Sequence, residues 1–298
     1  MTGKIVKALA GFYYVDAGEK VYACRAKGVF RLKGISPLVG DDVDFDVTDE
    51  EDCEGNISDI HKRRNTLIRP QAANIDQALV VFAAAKPDPN LNLLDRFLIM
   101  MQKQDIHTVI CFNKIDLADN DGLRLLKSTY ELCGHEVVFA SVREQEGITR
   151  IREILDGRTT VLAGPSGVGK SSMMNLLAPF AGMETGELSK RIDRGKQTTR
   201  HTELVRLWDD TYLTDTPGFT SLYVADMAKE ELKDYFPEFV PYSAECRFDS
   251  CQHLNEPDCG VKRALKSELI SPVRYENYRL MYEELQKQEA RLYKNKRK

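Results

Sequence analysis

Gly164-Pro165-Ser166-Gly167-Val168-Gly169-Lys170-Ser171 decides how the middle of this 298-residue chain is read. It fits the pattern GxxxxGK[ST], with an apolar, β-branched run at 159–163 before it and a helical run from Ser172 to Leu177 after it. Glycines let backbone N–H groups approach phosphates, and a helix N-terminus adds a favourable dipole. In such a loop Lys170 reaches the β and γ phosphates, while Ser171 holds Mg²⁺. Residues 164 to 172 are therefore the expected phosphate-binding segment. A chance glycine turn is the competing reading, and the strand and helix on either side argue against it.

Upstream, short apolar runs alternate with helical ones. Strands are expected over 78–85, 109–112, 137–140 and 159–163, and helices over 91–102, 122–133 and 148–155. That alternation implies a parallel α/β sheet, whose ligands sit at the carboxyl ends of its strands. Asn113-Lys114-Ile115-Asp116 stands at one such end and resembles the guanine-specificity motif of GTPases. Its aspartate accepts hydrogen bonds from the N1 and N2 donors of guanine. Adenine lacks that pair, so binding it would leave a carboxylate unpaired. Ser141, after the next strand, resembles the loop that supports base binding.

Downstream, a strand over 211–214 leads into Asp215-Thr216-Pro217-Gly218, which resembles the DxxG motif. There the aspartate binds Mg²⁺ through water and the glycine N–H senses the γ phosphate. Between the phosphate motifs, Thr198 and Thr199 both fit a switch threonine that coordinates Mg²⁺, with Thr199 preferred. A solvated loop is the plain alternative for this stretch. Phe219 occupies the place where many GTPases carry a water-orienting Gln. Intrinsic hydrolysis is thus expected to be slow, with Gln197, His201 or a partner as the assisting group. The base motifs precede the phosphate loop, the reverse of the usual order, so the chain reads as a circularly permuted GTPase.

The flanks differ in pattern. Residues 1–68 read as short glycine-punctuated strands with no helix among them, which suggests a small β-barrel such as an OB-fold. A nucleic-acid platform and a structural or protein-docking barrel are both open there. From about Lys229 the strands stop. Cys246, Cys251, His253 and Cys259 offer three thiols and an imidazole, a closed set suited to one structural Zn²⁺ rather than a catalytic ion. A long helical pattern follows, with Leu265, Leu269, Val273, Tyr278, Tyr282 and Leu285 on its stripe.

Composition sets outer bounds. The chain is 42% hydrophobic and 30% charged, and it has no apolar run long enough for a membrane span. Collagen, a long coiled coil, disorder and a membrane channel are excluded. No secretory signal is seen at Met1–Ile5, and an odd count of seven cysteines argues for reduced, cytosolic thiols. The net charge of −4 rules out a general polyanion binder. It is unevenly placed, with nine acidic and no basic residues from Asp41 to Glu54. From Lys262 to Lys298 there are eleven Lys and Arg against five Glu, a local +6 that suits either a nucleic-acid contact or a solvated helix.

Taken together, NKID, GPSGVGKS and DTPG in permuted order, a preceding barrel and the Cys-x4-Cys-x-His-x5-Cys cluster resemble the RsgA (YloQ) family. The resemblance implies an N-terminal OB-fold at 1–68, a circularly permuted P-loop GTPase domain at 69–225 and a C-terminal zinc-binding helical domain at 226–298. It further implies a cytoplasmic, monomeric factor that binds the small (30S) ribosomal subunit and its 16S rRNA late in assembly. No DNA or membrane partner is implied. Its hydrolysis of GTP to GDP would be stimulated by that subunit and drive release. Two rivals remain at this stage, a P-loop metabolic kinase or ATPase and a non-catalytic RNA-binding adaptor that merely holds GTP.

Overall fold

Strand β1 (Thr2–Leu9) opens a five-stranded barrel completed by β2 (Phe12–Asp16), β3 (Val21–Ala26), β4 (Asp42–Asp49) and β5 (Glu54–Ile60). The computed structural model describes residues 1–32, 34–67, 71–178, 202–215 and 227–296. The barrel order is β1-β2-β3-β5-β4, and β4 closes antiparallel on β1. Alternating residues fill it, with Ile5, Val15, Cys24, Val43, Phe45 and Ile57 fully buried. This is the expected OB-fold barrel, with one departure. A short helix α1 (Gly28–Leu32) interrupts the strands where none was expected. Phe30 is buried and anchors the turn, and the N–H of Ile35 donates back to its carbonyl at 2.9 Å.

The acidic stretch is absorbed by the barrel itself. Asp41 is fully buried and accepts two bonds from the Arg63 guanidinium, at 2.7 and 2.8 Å. Asp42 pairs with Lys4, Asp44 takes the Thr2 hydroxyl, and Asp46 pairs with Lys27. Asp49 turns the β4–β5 hairpin by accepting from the N–H groups of Glu51 and Asp52. The exposed pairs contribute under about 1 kcal/mol each; the buried Asp41–Arg63 pair is the structural one.

Beyond a two-residue ladder of β6 (Thr66–Leu67) and β7 (Ala72–Ala73) lies a six-stranded sheet. It comprises β8 (Gln77–Ala83), β9 (His107–Asn113), β10 (Glu136–Phe139), β11 (Thr159–Ala163), β12 (Val205–Trp208) and β13 (Thr211–Asp215). The order is β10-β9-β8-β11-β13-β12. β10 runs parallel to β9 and β11 to β13, while β12 forms an antiparallel hairpin with β13. All seven residues of β8 and all five of β11 are buried, which explains their continuous apolar runs.

Helices α2 (Leu91–Gln102) and α4 (Ile148–Leu155) fall on their expected bounds. Helix α3 (Asn120–Glu131) starts two residues early because Asp119 caps it, accepting from the N–H of Gly122 at 2.7 Å. α5 (Lys170–Leu177) follows the phosphate loop. Short 3₁₀ turns at Lys229–Tyr235 and Pro237–Phe239 lead to α6 (Val240–Ser243), then α7 (Gly260–Lys266) and α8 (Pro272–Lys296). The single long helix expected here is thus two. Glu268 takes a left-handed φ of 58°, the N–H of Leu269 closes on Ala264, and Leu269 turns outward at 50% exposure. No helix among the described residues is long and apolar enough to cross a membrane.

The described chain divides into two compact units. One holds Met1–Leu79, Gln145–Ala163 and Gly169–Phe219; the other holds Val80–Glu144, Gly164–Val168 and Thr220–Lys298. In the second, α8 packs on α2 through Tyr278, Met281 and Leu285, in a core that includes Ile99, Phe236, Phe239, Cys251 and Cys259.

Candidate functional site

β11 runs straight into the phosphate loop, and its first glycine is sterically fixed. Gly164 has φ of 138°, and a Cβ there would lie 2.1 Å from the carbonyl oxygen of Val81. Gly167 and Gly169 also take left-handed φ values, 81° and 99°. Pro165 is half-buried, Val168 is buried, and Ser166 and Gly167 face solvent. Gly169 caps α5 without any side-chain hydrogen bond, so the first N–H groups of that helix are offered to an anion. Lys170 is its first residue, half-buried, and Ser171 and Ser172 are exposed beside it. Gly164→Ala is expected to cost about 2–3 kcal/mol through backbone overlap and to lose nucleotide binding. A wild-type melting curve would contradict that geometry.

The candidate base-recognition segment is built onto the same loop. Asn113, the last residue of β9, is buried, and its side-chain N–H₂ donates to the carbonyl of Val168 at 2.8 Å. Its Oδ1 accepts from the N–H of Val142 at 3.1 Å, so one amide holds the phosphate loop and the loop after β10 together. Lys114 adopts a left-handed φ of 63° and donates Nζ to the carbonyls of Gly167, at 2.6 Å, and Lys86, at 2.8 Å. The N–H of Ile115 donates to Ala140 at 3.2 Å. Asp116 remains exposed, its rotamer fixed by the hydroxyl of the fully buried Ser141, which donates to Oδ1 at 2.7 Å. Ser141 is itself oriented by the N–H of Glu144. The result is an outward carboxylate fixed by Ser141, on a segment whose Asn113 and Lys114 hold the glycine loop.

Asp215 ends β13, opposite Leu162 of β11 in the parallel register, at the carboxyl end of the sheet. Thr198, Thr199, Gln197, His201, Gly218 and Phe219 lie outside the described residues.

The cysteine cluster assembles from loops around α6 and α7. The Sγ atoms of Cys246, Cys251 and Cys259 and a ring nitrogen of His253 all lie within 4.8 Å of one another. A tetrahedral Zn²⁺ with its usual bond lengths sets S···S near about 3.8 Å and S···N near about 3.6 Å. Cys246 Sγ is 3.8 Å from Cys259 Sγ, and His253 Nδ1 is 3.6 and 3.4 Å from those two sulfurs. The donors therefore fit zinc, with Nδ1 as the ligand and Nε2 3.4 Å from the Ser243 hydroxyl. Burial pushes the His253 imidazole down to about 4, which keeps it in the neutral form a metal requires. Tyr275 and Tyr278 of α8 donate their hydroxyls to the carbonyls of His253 and Gln252, at 2.6 and 2.7 Å. Cys251→Ser is expected to lower zinc from about one ion per chain and to loosen these contacts. Full metal content in that variant would remove Cys251 from the ligand set.

One cluster escaped the sequence reading. Arg274, counted there only as part of the basic tail, is 1% exposed. Its guanidinium donates to Asp95 of α2 at 2.6 Å and to both oxygens of Glu238 at 2.8 and 3.2 Å. Tyr130 of α3 and Asn277 also donate to Asp95, at 3.0 and 2.6 Å. Burial raises the Asp95 carboxyl and Arg274 draws it back. The available signal was position, because Arg274 lies four residues before Tyr278 on the buried stripe of α8.

Comparison with known proteins places this arrangement. A family profile described as RsgA GTPase matches residues 60–225, and one described as RsgA N-terminal domain matches residues 2–57. A protein of Agathobacter rectalis called small ribosomal subunit biogenesis GTPase RsgA is 54% identical over 296 residues, covering 96% of this chain and 98% of its own. One of that name from Clostridium perfringens strain SM101 is 45% identical, with coverage of 96% and 98%. The crystal structure of YloQ, titled a circularly permuted GTPase, aligns with a TM-score of 0.77 at 38% identity, covering 96% of this chain and 95% of that one. YjeQ from Thermotoga maritima aligns with a TM-score of 0.78 at 34% identity, covering 95% and 98%.

Proposed function

The chain belongs to the RsgA family of GTPases, and from that premise we propose that it hydrolyses GTP in biogenesis of the small ribosomal subunit. One observation carries the reading at the level of residues. Asn113 and Lys114, just before the candidate base-selecting Asp116, donate to the carbonyls of Val168 and Gly167 in the candidate phosphate loop. These bonds, between residues 55 and 53 positions apart, support reading the two motifs as one guanine-nucleotide site.

In this reading the N–H groups of 164–172 and the ammonium of Lys170 hold the phosphates. Asp116 takes the guanine N1 and N2 donors, and Asn113, Lys114, Ile115 and Ser141 hold Asp116 in place. Ser171, Thr199 and Asp215 would hold Mg²⁺, which when bound offsets charge on the phosphates, and Gly218 would sense the γ phosphate. Because Phe219 cannot orient water, turnover depends on Gln197, His201 or a group supplied by the partner. One Zn²⁺ on Cys246, Cys251, His253 and Cys259 is architectural.

The partner is the small subunit, contacted through its 16S rRNA by the barrel and the basic C-terminal helix. GTP favours docking, and hydrolysis triggered by the subunit releases a monomeric, cytoplasmic protein. The domain boundaries at 68 and 225 belong to the same proposal. Competition for a bound fluorescent GDP analogue tests the nucleotide assignment. GTP and GDP should displace it at concentrations about 10³-fold below ATP. Equal displacement by ATP would refute the guanine assignment.

A further inference from the structure

The hairpin that ends at Asp215 carries side chains the nucleotide motifs do not explain. Tyr212 of β13 is 4% exposed and donates its hydroxyl to Oδ2 of Asp16, at the end of barrel strand β2, at 3.0 Å. The other oxygen of Asp16 accepts from the N–H of Gly18 at 2.9 Å. Directly across the hairpin from Tyr212 stands Arg206 of β12. Its guanidinium lies 3.5 Å from Asp16 and donates to the carbonyl of Gly18. Just before β12, the N–H of Leu204 donates to the carbonyl of Val6 at 2.8 Å and Glu203 pairs with Lys7. Leu204 and Tyr212 are buried in the barrel's own core. Both strands of the hairpin are thus gripped by the barrel.

The same strand is fixed on its other edge by the parallel ladder with β11, where Tyr212 lies opposite Thr159 and Asp215 opposite Leu162. Three residues separate the gripped tyrosine from the aspartate, about 10 Å of extended chain. A rigid strand held at one end presents the residue at its other end at a set height. Burial and the Asp16 carboxylate push the Tyr212 phenol above its ordinary range, so it remains a hydrogen-bond donor.

We propose that Tyr212 and Asp16 are positioning residues for the Mg²⁺ edge of the nucleotide site, so that the barrel sets how Asp215 is presented. This rests on the reading of Asp215 as the aspartate that holds Mg²⁺ through water. The barrel is then part of the hydrolytic machinery as well as a docking module.

Titration of Mg²⁺ against a fluorescent, non-hydrolysable GTP analogue on the full chain tests this, with melting temperature measured in parallel. Asp215→Asn should raise the half-saturating Mg²⁺ by about tenfold, and Tyr212→Phe by about threefold, with affinity in EDTA unchanged for Tyr212→Phe. Asp16→Ala, which removes the acceptor for the hydroxyl, should raise the midpoint as Tyr212→Phe does, and an unchanged midpoint there would refute the role of Asp16. A Tyr212→Phe protein with a lower melting temperature and a wild-type Mg²⁺ midpoint would reduce the contact to a structural brace and overturn the proposal. An unchanged midpoint in Asp215→Asn would overturn the site reading and this inference with it. Should Tyr212→Phe fail to fold, Arg206→Gln at the half-exposed edge decides, a raised midpoint supporting the proposal and an unchanged one refuting it.

Discussion

Asp116→Asn is expected to lower GTP affinity by about 10²–10³-fold while xanthosine triphosphate binding rises. Two hydrogen bonds to a charged acceptor, each worth about 1.5–3 kcal/mol, are lost with guanine, which sets that range. Xanthine carries a carbonyl where guanine has its amino group, and the Asn N–H₂ can donate to it. The variant should fold normally. Its remaining carbonyl oxygen still accepts from the Ser141 hydroxyl, which lies 2.7 Å from the corresponding oxygen in Asp116. Equilibrium competition among GTP, xanthosine triphosphate and ATP checks the outcome, and unchanged GTP selectivity would refute the role of Asp116.

The second large effect is on stability. Arg274→Met is expected to cost about 3–5 kcal/mol, because it leaves Asp95 and Glu238 buried without their guanidinium. The carboxylates are 0% and 6% exposed, so water cannot replace what is lost. Removing the charges together, as Arg274→Met with Asp95→Asn and Glu238→Gln, should recover most of that cost, since the penalty lies in the uncompensated ions. Chemical denaturation of both variants reads the difference. A single variant within about 0.5 kcal/mol of wild type would mean the cluster is solvated in solution.

Asp116 and Arg274 differ in how much local sequence signals them. The phosphate loop, NKID and the Cys/His cluster were legible because chemistry prescribes both residue type and spacing. Gly164 has no room for a Cβ, guanine needs a carboxylate, and zinc needs four soft donors. The buried strand 159–163 was legible as a continuous apolar run, and the helices at 91–102 and 148–155 from their helical patterning. Arg274 was not, because its partners Asp95 and Glu238 are distant in sequence and its charge placed it among the surface residues of a basic tail. The Tyr212–Asp16 contact spans 196 positions and has no local signature. Strand β1 carries a weak signature of its own, because only Ile5 among its eight residues is fully buried while Lys4 and Lys7 dilute the alternation. The break between α7 and α8 turns on the left-handed Glu268, which no propensity favours. Within the acidic stretch Asp41, Asp42 and Asp46 pair with Arg63, Lys4 and Lys27, and Asp49 holds the hairpin turn, contacts that composition does not reveal.

That this GTPase acts on the small ribosomal subunit is open to a direct assay. Multiple-turnover GTP hydrolysis by the purified protein, alone and with isolated small or large subunits, tests it most directly. Slow hydrolysis alone and marked stimulation by small subunits only are expected. A slow rate unchanged by either subunit, or raised equally by both, would contradict it.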